Sequence, residues 1–514
     1  MQKIRTHPIL ILLIINLLIG LFTFRDYGLS WDEPLYYDYG QASEYAYSIP
    51  ARLNGTFDLE KSFGASASDH VTRGPAYLVI AGQFQNLLEF FGLDMASAWH
   101  LTNFITFQIG LIFFYKFIRR WLDRWPATVS TAFFAFQPVL WQHAFMNPKD
   151  MPFAVFMLIS ITLGFRMVDA WNEGSPTPSK IFTTSIIPAI LLGLTTAIRF
   201  IGPYAVLLIG LYFLTTKNWK AIWGFIPYGV IALITMYAFW PFLWPDPIGR
   251  FIFVLNAMAN APADLKILFM GVLYPAYELP RRYFLTLLTY TLTEPTWLLF
   301  IIGSFIALKK AFQESKDRAK LGITFIWFAF VISALVIVNP PNSDGYRHYL
   351  FMLPPVFVFA GFAINEAFTR LQNVWSKAAF SSAILLPAIL ANIALHPYQY
   401  TYYNTFAGGT DKAFRQYETD YWLTCYREAV MEFEKSAPDD AQLFVKREPY
   451  IADYYASANI HIRDYRSDLK DLTTGDYVLI NSRSNDDEKT LRDAPVVLEV
   501  KRGDAVFCVI KKVP

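Results

Sequence analysis

The sequence predicts a mainly α-helical protein that crosses a membrane many times and carries a small α/β domain at its C-terminal end. Hydrophobic residues make up 54% of the 514 residues and charged residues only 17%, which is far from the average of soluble proteins. Charged residues are also more than twice as frequent after Pro397 as before it. We therefore predict a membrane domain, residues 1–396, followed by a soluble domain, residues 397–514.

The apolar stretches predict about eleven membrane spans when Pro, Gly and charge clusters are taken to interrupt them. The first stretch lacks a small-x-small cleavage site after its apolar run, so we interpret it as an uncleaved anchor. The net charge of +2 gives no indication of nucleic-acid binding. The predicted spans lie near residues 8–24, 96–118, 127–145, 151–168, 181–199, 203–216, 221–243, 284–308, 321–338, 349–367 and 379–396.

Lys and Arg residues are concentrated in every second loop, which predicts that those loops and the N-terminus face the cytoplasm. The remaining loops and the C-terminal domain are then extracytoplasmic, and the protein is predicted to be integral to the cell (inner) membrane. The outward loops are 25–95, 146–150, 244–283 and 339–348. The basic residues used are Lys3, Arg5, Arg119, Arg120, Arg124, Lys180, Lys217, Lys220, Lys309, Lys310, Lys316, Arg318, Lys320, Arg370 and Lys377.

The outward segments have their own predicted elements. Loop 25–95 is rich in Tyr and Trp, which predicts amphipathic helices at the membrane interface, and segment 277–295 is interpreted in the same way. Cys425 and Cys508 lie in the C-terminal domain, and both a disulfide and two reduced thiols fit the sequence. The elements predicted in that domain are a helix from Asp411 to Lys435 and strands at Gln442–Val445, Tyr477–Ile480, Val496–Val500 and Ala505–Ile510.

An acid pair, Asp32 and Glu33, stands just outside the first span. Carboxylates at the boundary between hydrocarbon and water are costly to keep there. Their usual roles are proton transfer, ion coordination and substrate binding. The alternative is a solvated pair that marks the end of a span. The pair is the first candidate for catalysis.

Further charged residues lie against the outward ends of the spans. Asp150 is a candidate for catalysis, although an acid just before Met151-Pro152 also suits a helix cap. Lys149 and Arg282 are candidates for binding phosphate, or they reach lipid headgroups with their long side chains. Arg199 ends an apolar run that has no other charge nearby, which favours binding over contact with headgroups.

His70 with Arg73, and Arg347 with His348, complete the candidate substrate-binding residues. The histidines show no mutual ligand spacing, so a hydrogen-bonded role is the alternative to metal binding. Carboxylates and cations on one membrane face suit a transfer reaction from a lipid phosphate. A carboxylate activates the acceptor hydroxyl, while Lys and Arg neutralise the phosphate that leaves.

These positions resemble those of the GT-C glycosyltransferases, above all the family-39-like protein O-mannosyltransferases, lipid A aminoarabinose transferases and bacterial phospholipid-carrier-dependent members. Asp32-Glu33 resembles their Asp-Glu motif, Asp150 their second acidic position, and Arg199 in Gly193-Leu194-x-x-x-Ile198-Arg199 the basic residue of their fifth span. The tail motifs that add to the resemblance are His396-Pro397, Tyr403-Asn404, Gly408-Gly409 and Asp420-Tyr421-Trp422.

The resemblance implies an inverting glycosyltransferase with a polyprenyl-phosphate sugar donor and a glycan, lipid or protein acceptor. Asp32 would be the base, and Lys149, Arg199 and Arg347 would hold the phosphate. Glu33 and Asp150 would orient the acceptor or hold a divalent ion such as Mg²⁺ or Mn²⁺.

Two other classes of protein remain as alternatives. A transporter or flippase of lipid-linked glycans should carry ionisable residues in the middle of several spans or show duplicated halves, and the sequence shows neither. A receptor or assembly scaffold would leave Asp32 and Arg199 without a role. The pattern of charges at one membrane face therefore favours the enzyme.

Overall fold

A computed structural model of the protein describes residues 7–65, 70–174, 176–259, 265–313 and 315–514. Seven helices in these ranges are long and apolar enough to cross a membrane, which agrees with the predicted multi-pass architecture. The predicted number of eleven spans is not confirmed and stays a prediction. Lys3 and Arg5, which were used for the orientation, lie outside the described residues. The seven helices are Met95–Ile118, Asp150–Asn172, Pro178–Thr196, Trp219–Ala238, Pro295–Gln313, Asp317–Val338 and Val374–Ala394.

The other helices are shorter or more polar. Pro8–Thr23 and Tyr204–Thr216 are apolar and match the first and sixth predicted spans. Helices also form in the first outward segment, as its aromatic pattern predicts. The remaining helices are Glu33–Glu44, Ile49–Leu53, Ala76–Phe90, Arg124–Ala135, Pro138–Met146, Pro247–Ala259, Tyr283–Thr291, Pro354–Arg370, Gly409–Ala413, Tyr426–Glu434, Pro449–Tyr455 and Asp486–Lys489.

Two predicted spans, 127–145 and 284–308, are each broken into two helices, so both predictions are wrong in this respect. Pro138 and Pro295 start the second helix of each pair, where their missing N–H groups cost nothing. Polar groups at the two breaks form hydrogen bonds with each other. Gln137 Nε2 donates to Thr293 Oγ1 at 3.0 Å, and Thr293 N donates to Gln137 Oε1 at 3.0 Å. Buried polar groups at the breaks are thereby hydrogen-bonded.

Segment 244–283, which is predicted to face outward, contains a β-hairpin that was not predicted, with strands β1 (Lys266–Phe269) and β2 (Val272–Pro275). The C-terminal region holds a five-stranded sheet in the order β4-β3-β5-β7-β6. β3 is parallel to β4 and β5, while β7 is antiparallel to β5 and β6. Four of these strands were predicted, and β4 was missed. They are β3 (Ala441–Val445), β4 (Ile460–Asp464), β5 (Tyr477–Asn481), β6 (Val496–Arg502) and β7 (Ala505–Lys512).

The predicted helix from Asp411 to Lys435 is wrong, because residues 414–425 form an irregular segment between two helices. The buried Asp420 carboxylate accepts hydrogen bonds from Thr424 N and Cys425 N, both at 3.0 Å. Such local bonds compete with helix formation. Of the two alternatives for the cysteines, the structure has the disulfide, which joins Cys425 to Cys508 of β7.

The C-terminal region packs directly against the segment that carries the acid pair. Trp31 N donates to Trp422 O at 3.1 Å, and Tyr450 Oη donates to Trp31 O at 2.6 Å. Leu29 N donates to Tyr455 Oη at 2.9 Å. The backbone on the N-terminal side of the acid pair is therefore fixed by residues that lie about 400 positions later in the chain.

Candidate active site

A buried guanidinium, that of Arg347, lies at the centre of a group of charged side chains. Its Nη1 atom is 3.0 Å from Asp32 Oδ2 and 3.1 Å from Asp150 Oδ2. Its Nη2 atom is 3.1 Å from Asp344 Oδ2, and its Cζ atom lies 4.5 Å from the centre of the Trp422 ring. One cation thus joins carboxylates from three segments. We call the following residues the charged cluster: Asp32, Lys149, Asp150, Arg199, Asp344, Arg347 and His348.

Asp150 begins the helix Asp150–Asn172 but does not cap it. The cap comes from Asn147, whose Oδ1 accepts from Lys149 N at 3.2 Å and from Asp150 N at 2.7 Å. This arrangement leaves the fully buried Asp150 carboxylate available to other partners. It pairs with Arg199 and with Arg347. The capping role that the sequence allowed for Asp150 is therefore wrong, since Asn147 takes that role.

Asp32 is the most accessible carboxylate of the charged cluster, with 21% of its side chain exposed. Its Oδ2 atom also lies 3.7 Å from Lys149 Nζ, which donates to Tyr36 Oη at 2.7 Å. Burial raises the pKa of the Asp32 carboxyl, but the charges of Arg347 and Lys149 outweigh burial and hold that pKa well below its usual range. Asp32 is therefore ionised in the absence of a ligand.

Arg199 and His348 form the other side of the charged cluster. Arg199 follows the helix Pro178–Thr196, and its backbone N–H donates to Thr195 O at 3.1 Å. Its Nη2 atom contacts Asp150 Oδ1 and lies 3.1 Å from His348 Nδ1. Burial, together with Arg347 and Arg199, holds the pKa of His348 well below its usual range, so the imidazole is neutral.

Glu33 does not belong to the charged cluster, so the structure does not bring it to Asp150, with which it was expected to orient the acceptor or hold an ion. The fully buried carboxylate accepts from Ser30 N at 2.6 Å and from Tyr37 Oη at 2.5 Å, and it lies 3.0 Å from His100 Nε2. Neighbouring positions at a helix start point about 100° apart, so Asp32 and Glu33 face different surroundings. Glu33 holds the loop before the helix in place.

We expect Glu33→Gln to affect stability more than chemistry. The neutral amide loses charge-assisted hydrogen bonds from Ser30 and Tyr37, which should reduce the free energy of unfolding by about 1–3 kcal/mol. Thermal unfolding of the purified protein measures this change. A variant with unchanged thermal stability and abolished turnover would instead place Glu33 in the reaction.

Three further predicted residues differ in their relation to the charged cluster. His70 lies edge-on to the Tyr36 ring at 4.5 Å, and the charges of His70 and Arg73 help to lower the pKa of Asp32. Both residues therefore border the charged cluster. Arg282 is exposed just before the helix Tyr283–Thr291 and makes no ion pair with the charged cluster in the described part of the chain. Arg282 is not brought into this site.

Two buried residues of the site were missed by the sequence analysis. Asp344, only 1% exposed, lies between Arg347 and Arg483, with Arg483 Nη1 at 2.8 Å from Asp344 Oδ1. Asp344 stands in a loop predicted to face outward, three residues before Arg347, and this spacing was the available signal. Arg483 lies between two serines in the C-terminal domain, and nothing in that sequence indicates burial.

A divalent ion, which was one of the two roles implied for Glu33 and Asp150, does not fit these residues. Glu33 faces away from the charged cluster, and Asp150 already contacts Arg199 and Arg347, whose positive charges occupy the place of a cation. Within the described ranges, one group of possible ligand atoms is close enough for a metal, and it consists of Asp420 with the two cysteines of the disulfide. We therefore assign no metal to either place.

The structure has a helical membrane region, segments predicted to face outward that meet at the charged cluster, and a small C-terminal sheet domain. Together they form the GT-C fold that the resemblance implies. Solved structures of two GT-C superfamily members show the same fold. The chain is similar to ArnT from Cupriavidus metallidurans in the apo state, with 13% identity and a TM-score of 0.51, and the match covers 98% of this chain and 97% of ArnT.

The second structure is the archaeal oligosaccharyltransferase AglB from Archaeoglobus fulgidus in complex with an inhibitory peptide and a dolichol-phosphate. The identity is 12% and the TM-score 0.53, and the match covers 93% of this chain and 70% of AglB. No protein-family model and no curated protein sequence matches the chain. These comparisons therefore show the fold alone.

Proposed function

We propose that the protein is an inverting glycosyltransferase that moves a sugar from a polyprenyl-phosphate donor to an acceptor hydroxyl on a glycan, lipid or protein. One observation carries this proposal: Asp32, a partly accessible ionised carboxylate, lies beside two mostly buried basic side chains, the guanidinium of Arg347 and the amine of Lys149, whose pKa is held well below its usual range by burial. This combination supplies a proton acceptor next to a place for an anion. Both are needed for transfer from a lipid phosphate.

The cations of the charged cluster suit the leaving group. A sugar linked through a phosphodiester carries one negative charge, and the polyprenyl phosphate that leaves develops a second. Lys149, Arg199 and Arg347 come from three segments and meet at Asp32 and Asp150, so they can surround a phosphate from several sides. Their attraction grows as the charge develops, and they therefore stabilise the transition state more than the bound donor.

Asp32 takes the proton in the proposed reaction. The acceptor oxygen attacks the anomeric carbon, a new carbon–oxygen bond forms, and the bond from that carbon to the phosphate oxygen breaks. The leaving phosphate keeps the bonding electrons, and the hydroxyl proton passes to Asp32. Attack from the face opposite the phosphate inverts the configuration at the anomeric carbon.

The membrane setting of the site is part of the proposal. Asp32, Asp150, Arg347 and Arg483 come from four segments that the Lys and Arg bias assigns to the outer side. We propose that the site faces outward from the inner membrane, with the N-terminus in the cytoplasm and residues 397–514 outside. AglB, which shares the fold, has been solved with a dolichol-phosphate, and this supports a lipid-phosphate donor here.

The charges around Asp32 predict a specific pH dependence. A bound phosphate pairs with Lys149 and Arg347, so Asp32 loses counter-charge and its pKa rises in the donor complex. The acid limb of kcat should therefore lie at higher pH than the acid limb of kcat/KM, which reports the free enzyme. In initial rates between about pH 4.5 and 8, kcat should fall on acidification, whereas kcat/KM should show no acid limb, because the pKa of Asp32 in the free enzyme lies below this range. An acid limb of kcat/KM at the same pH as that of kcat would contradict the idea that Asp32 loses Lys149 and Arg347 to the bound phosphate.

The proposed function is tested by comparing the envelopes of two strains, one with the protein and one without it. Mass spectrometry of lipids, glycans and glycoproteins should show one class of molecule that loses a sugar when the protein is absent. That class names the acceptor. An unchanged set of products, with lipid-linked glycan accumulating on the cytoplasmic side, would instead indicate a transporter or flippase.

A further inference from the structure

Arg483 is a fully buried arginine that approaches the charged cluster from the C-terminal domain. Its side chain has 0% of its surface exposed. Nη1 donates to Tyr421 O at 2.6 Å and lies 2.8 Å from Asp344 Oδ1. The guanidinium lies 4.6 Å from the centre of the Trp31 ring, next to Asp32 in sequence. Arg483 thus touches the neighbours of both Arg347 and Asp32.

The hydrogen bonding of Arg483 is incomplete. Its Nε and Nη2 atoms have no hydrogen-bond partner among the described residues. A buried guanidinium with unmade hydrogen bonds is costly, and an apolar side chain of similar size often serves stability as well or better. Stability alone therefore gives a weak reason for an arginine at this position. An arginine at this position is better explained if its positive charge affects the electrostatics of the charged cluster.

Asp344 connects Arg483 to Arg347. This carboxylate is 1% exposed, and its two oxygens face different arginines, with Oδ2 at 3.1 Å from Arg347 Nη2 and Oδ1 at 2.8 Å from Arg483 Nη1. One negative charge is therefore shared between two guanidinium groups. Without Arg483, Asp344 would belong to Arg347 alone, and an ion pair closed in this way is a weaker partner for another anion.

We propose that Arg483 is a positioning residue for the phosphate subsite of the proposed reaction. By sharing Asp344, Arg483 takes up part of the negative charge of that carboxylate and so leaves more of the positive charge of Arg347 for the donor phosphate. This inference rests on the proposed function. It also makes phosphate affinity depend on a side chain of the C-terminal domain.

The test uses the full-length protein in lipid nanodiscs and a short-chain polyprenyl phosphate without sugar as the probe. Arg483→Gln removes the charge but keeps a polar amide at this position. We expect this variant to bind the probe about tenfold more weakly than the wild type. Adding Asp344→Asn to Arg483→Gln removes the carboxylate that captures Arg347, and we expect binding to return to within about threefold of the wild type.

Two further variants separate charge from shape and position. Arg483→Lys keeps the charge and should bind within about threefold of the wild type. Arg502→Met is the matched control, because Arg502 is also a C-terminal-domain arginine, paired with Glu428 at 2.8 Å and stacked 4.8 Å from the Tyr398 ring, but it lies outside the charged cluster. Arg502→Met should leave affinity for the probe unchanged.

The outcomes distinguish failure of the proposed function from failure of the role proposed for Arg483. A wild-type protein that does not bind the probe would overturn the proposed function. A wild-type protein that binds, together with Arg483→Gln that binds equally well, would overturn the role of Arg483 alone. Failure of Asp344→Asn to restore binding, or equal weakening by Arg483→Lys and Arg483→Gln, would also overturn it, because a purely structural role predicts both results.

Discussion

Asp32→Asn should reduce turnover by about a thousandfold, the typical contribution of a well-placed general base. The asparagine side chain has nearly the same shape but cannot accept the acceptor proton. Its amide still reaches Arg347, so the surrounding residues should keep their positions. The measurement is the initial rate of polyprenyl phosphate release from a polyprenyl-phosphate sugar by the purified protein.

Binding and folding controls make this result specific. The affinity for polyprenyl phosphate should stay the same or increase in Asp32→Asn, because a negative charge beside the phosphate is removed. Asp38→Asn is the matched control, since Asp38 is exposed on the helix that follows Asp32 and accepts from Ala65 N at 2.9 Å, away from the charged cluster. An Asp32→Asn enzyme that keeps its rate would remove Asp32 from the role of base.

Arg347→Met should cause the second largest effect, and it should affect both activity and stability. Arg347 lies within 3.1 Å of carboxylate oxygens of Asp32, Asp150 and Asp344. Without it, these carboxylates lose a shared counter-charge in a largely buried place. We expect an unfolding free energy lower by about 3–5 kcal/mol and turnover near background.

The loss of stability in Arg347→Met should depend on pH in a definite direction. In Arg347→Met, the carboxylates of Asp32, Asp150 and Asp344 repel one another. This repulsion raises their pKa values, and protonation relieves it. The stability difference between wild type and Arg347→Met should therefore shrink as the pH falls from about 8 to about 5. Arg370→Met is the control, because Arg370 is an exposed arginine paired with Glu366. A difference that grows on acidification would contradict the role of Arg347 as shared counter-charge.

The fold and much of the geometry around Asp32 could be predicted from the sequence. The length of the apolar stretches identifies the membrane helices. The higher frequency of charged residues identifies the C-terminal region. Charged residues at span ends on one predicted side, such as Asp32, Asp150 and Arg347, are confined to a thin layer, so their meeting in space is a reasonable expectation. Helix breaks such as that at Gln137 depend on a partner far along the chain and were therefore missed.

The orientation of individual side chains could not be predicted in the same way. Glu33 adjoins Asp32 but turns toward His100, a residue of another helix. Asp150 could cap its helix until Asn147 is seen to do so. Arg483 lies 139 positions after its partner Asp344, and a charged residue between serines has the pattern of an exposed loop. Such pairings are set by tertiary packing and have no local pattern.

The distribution of the charged cluster along the chain has a consequence for biosynthesis. The carboxylates of Asp32 and Asp150 are made before Arg199, Arg347 follows well after them, and Arg483 comes last. During translation, Asp32 and Asp150 therefore lack Arg347 until about two thirds of the chain has been made, and Asp344 shares its charge with Arg483 only when nearly the whole chain has been made. A product truncated before residue 483 would have its membrane helices and its acids but an incomplete set of charges. On the proposed function, such a product would lack the positive charge that Arg483 places beside Asp344.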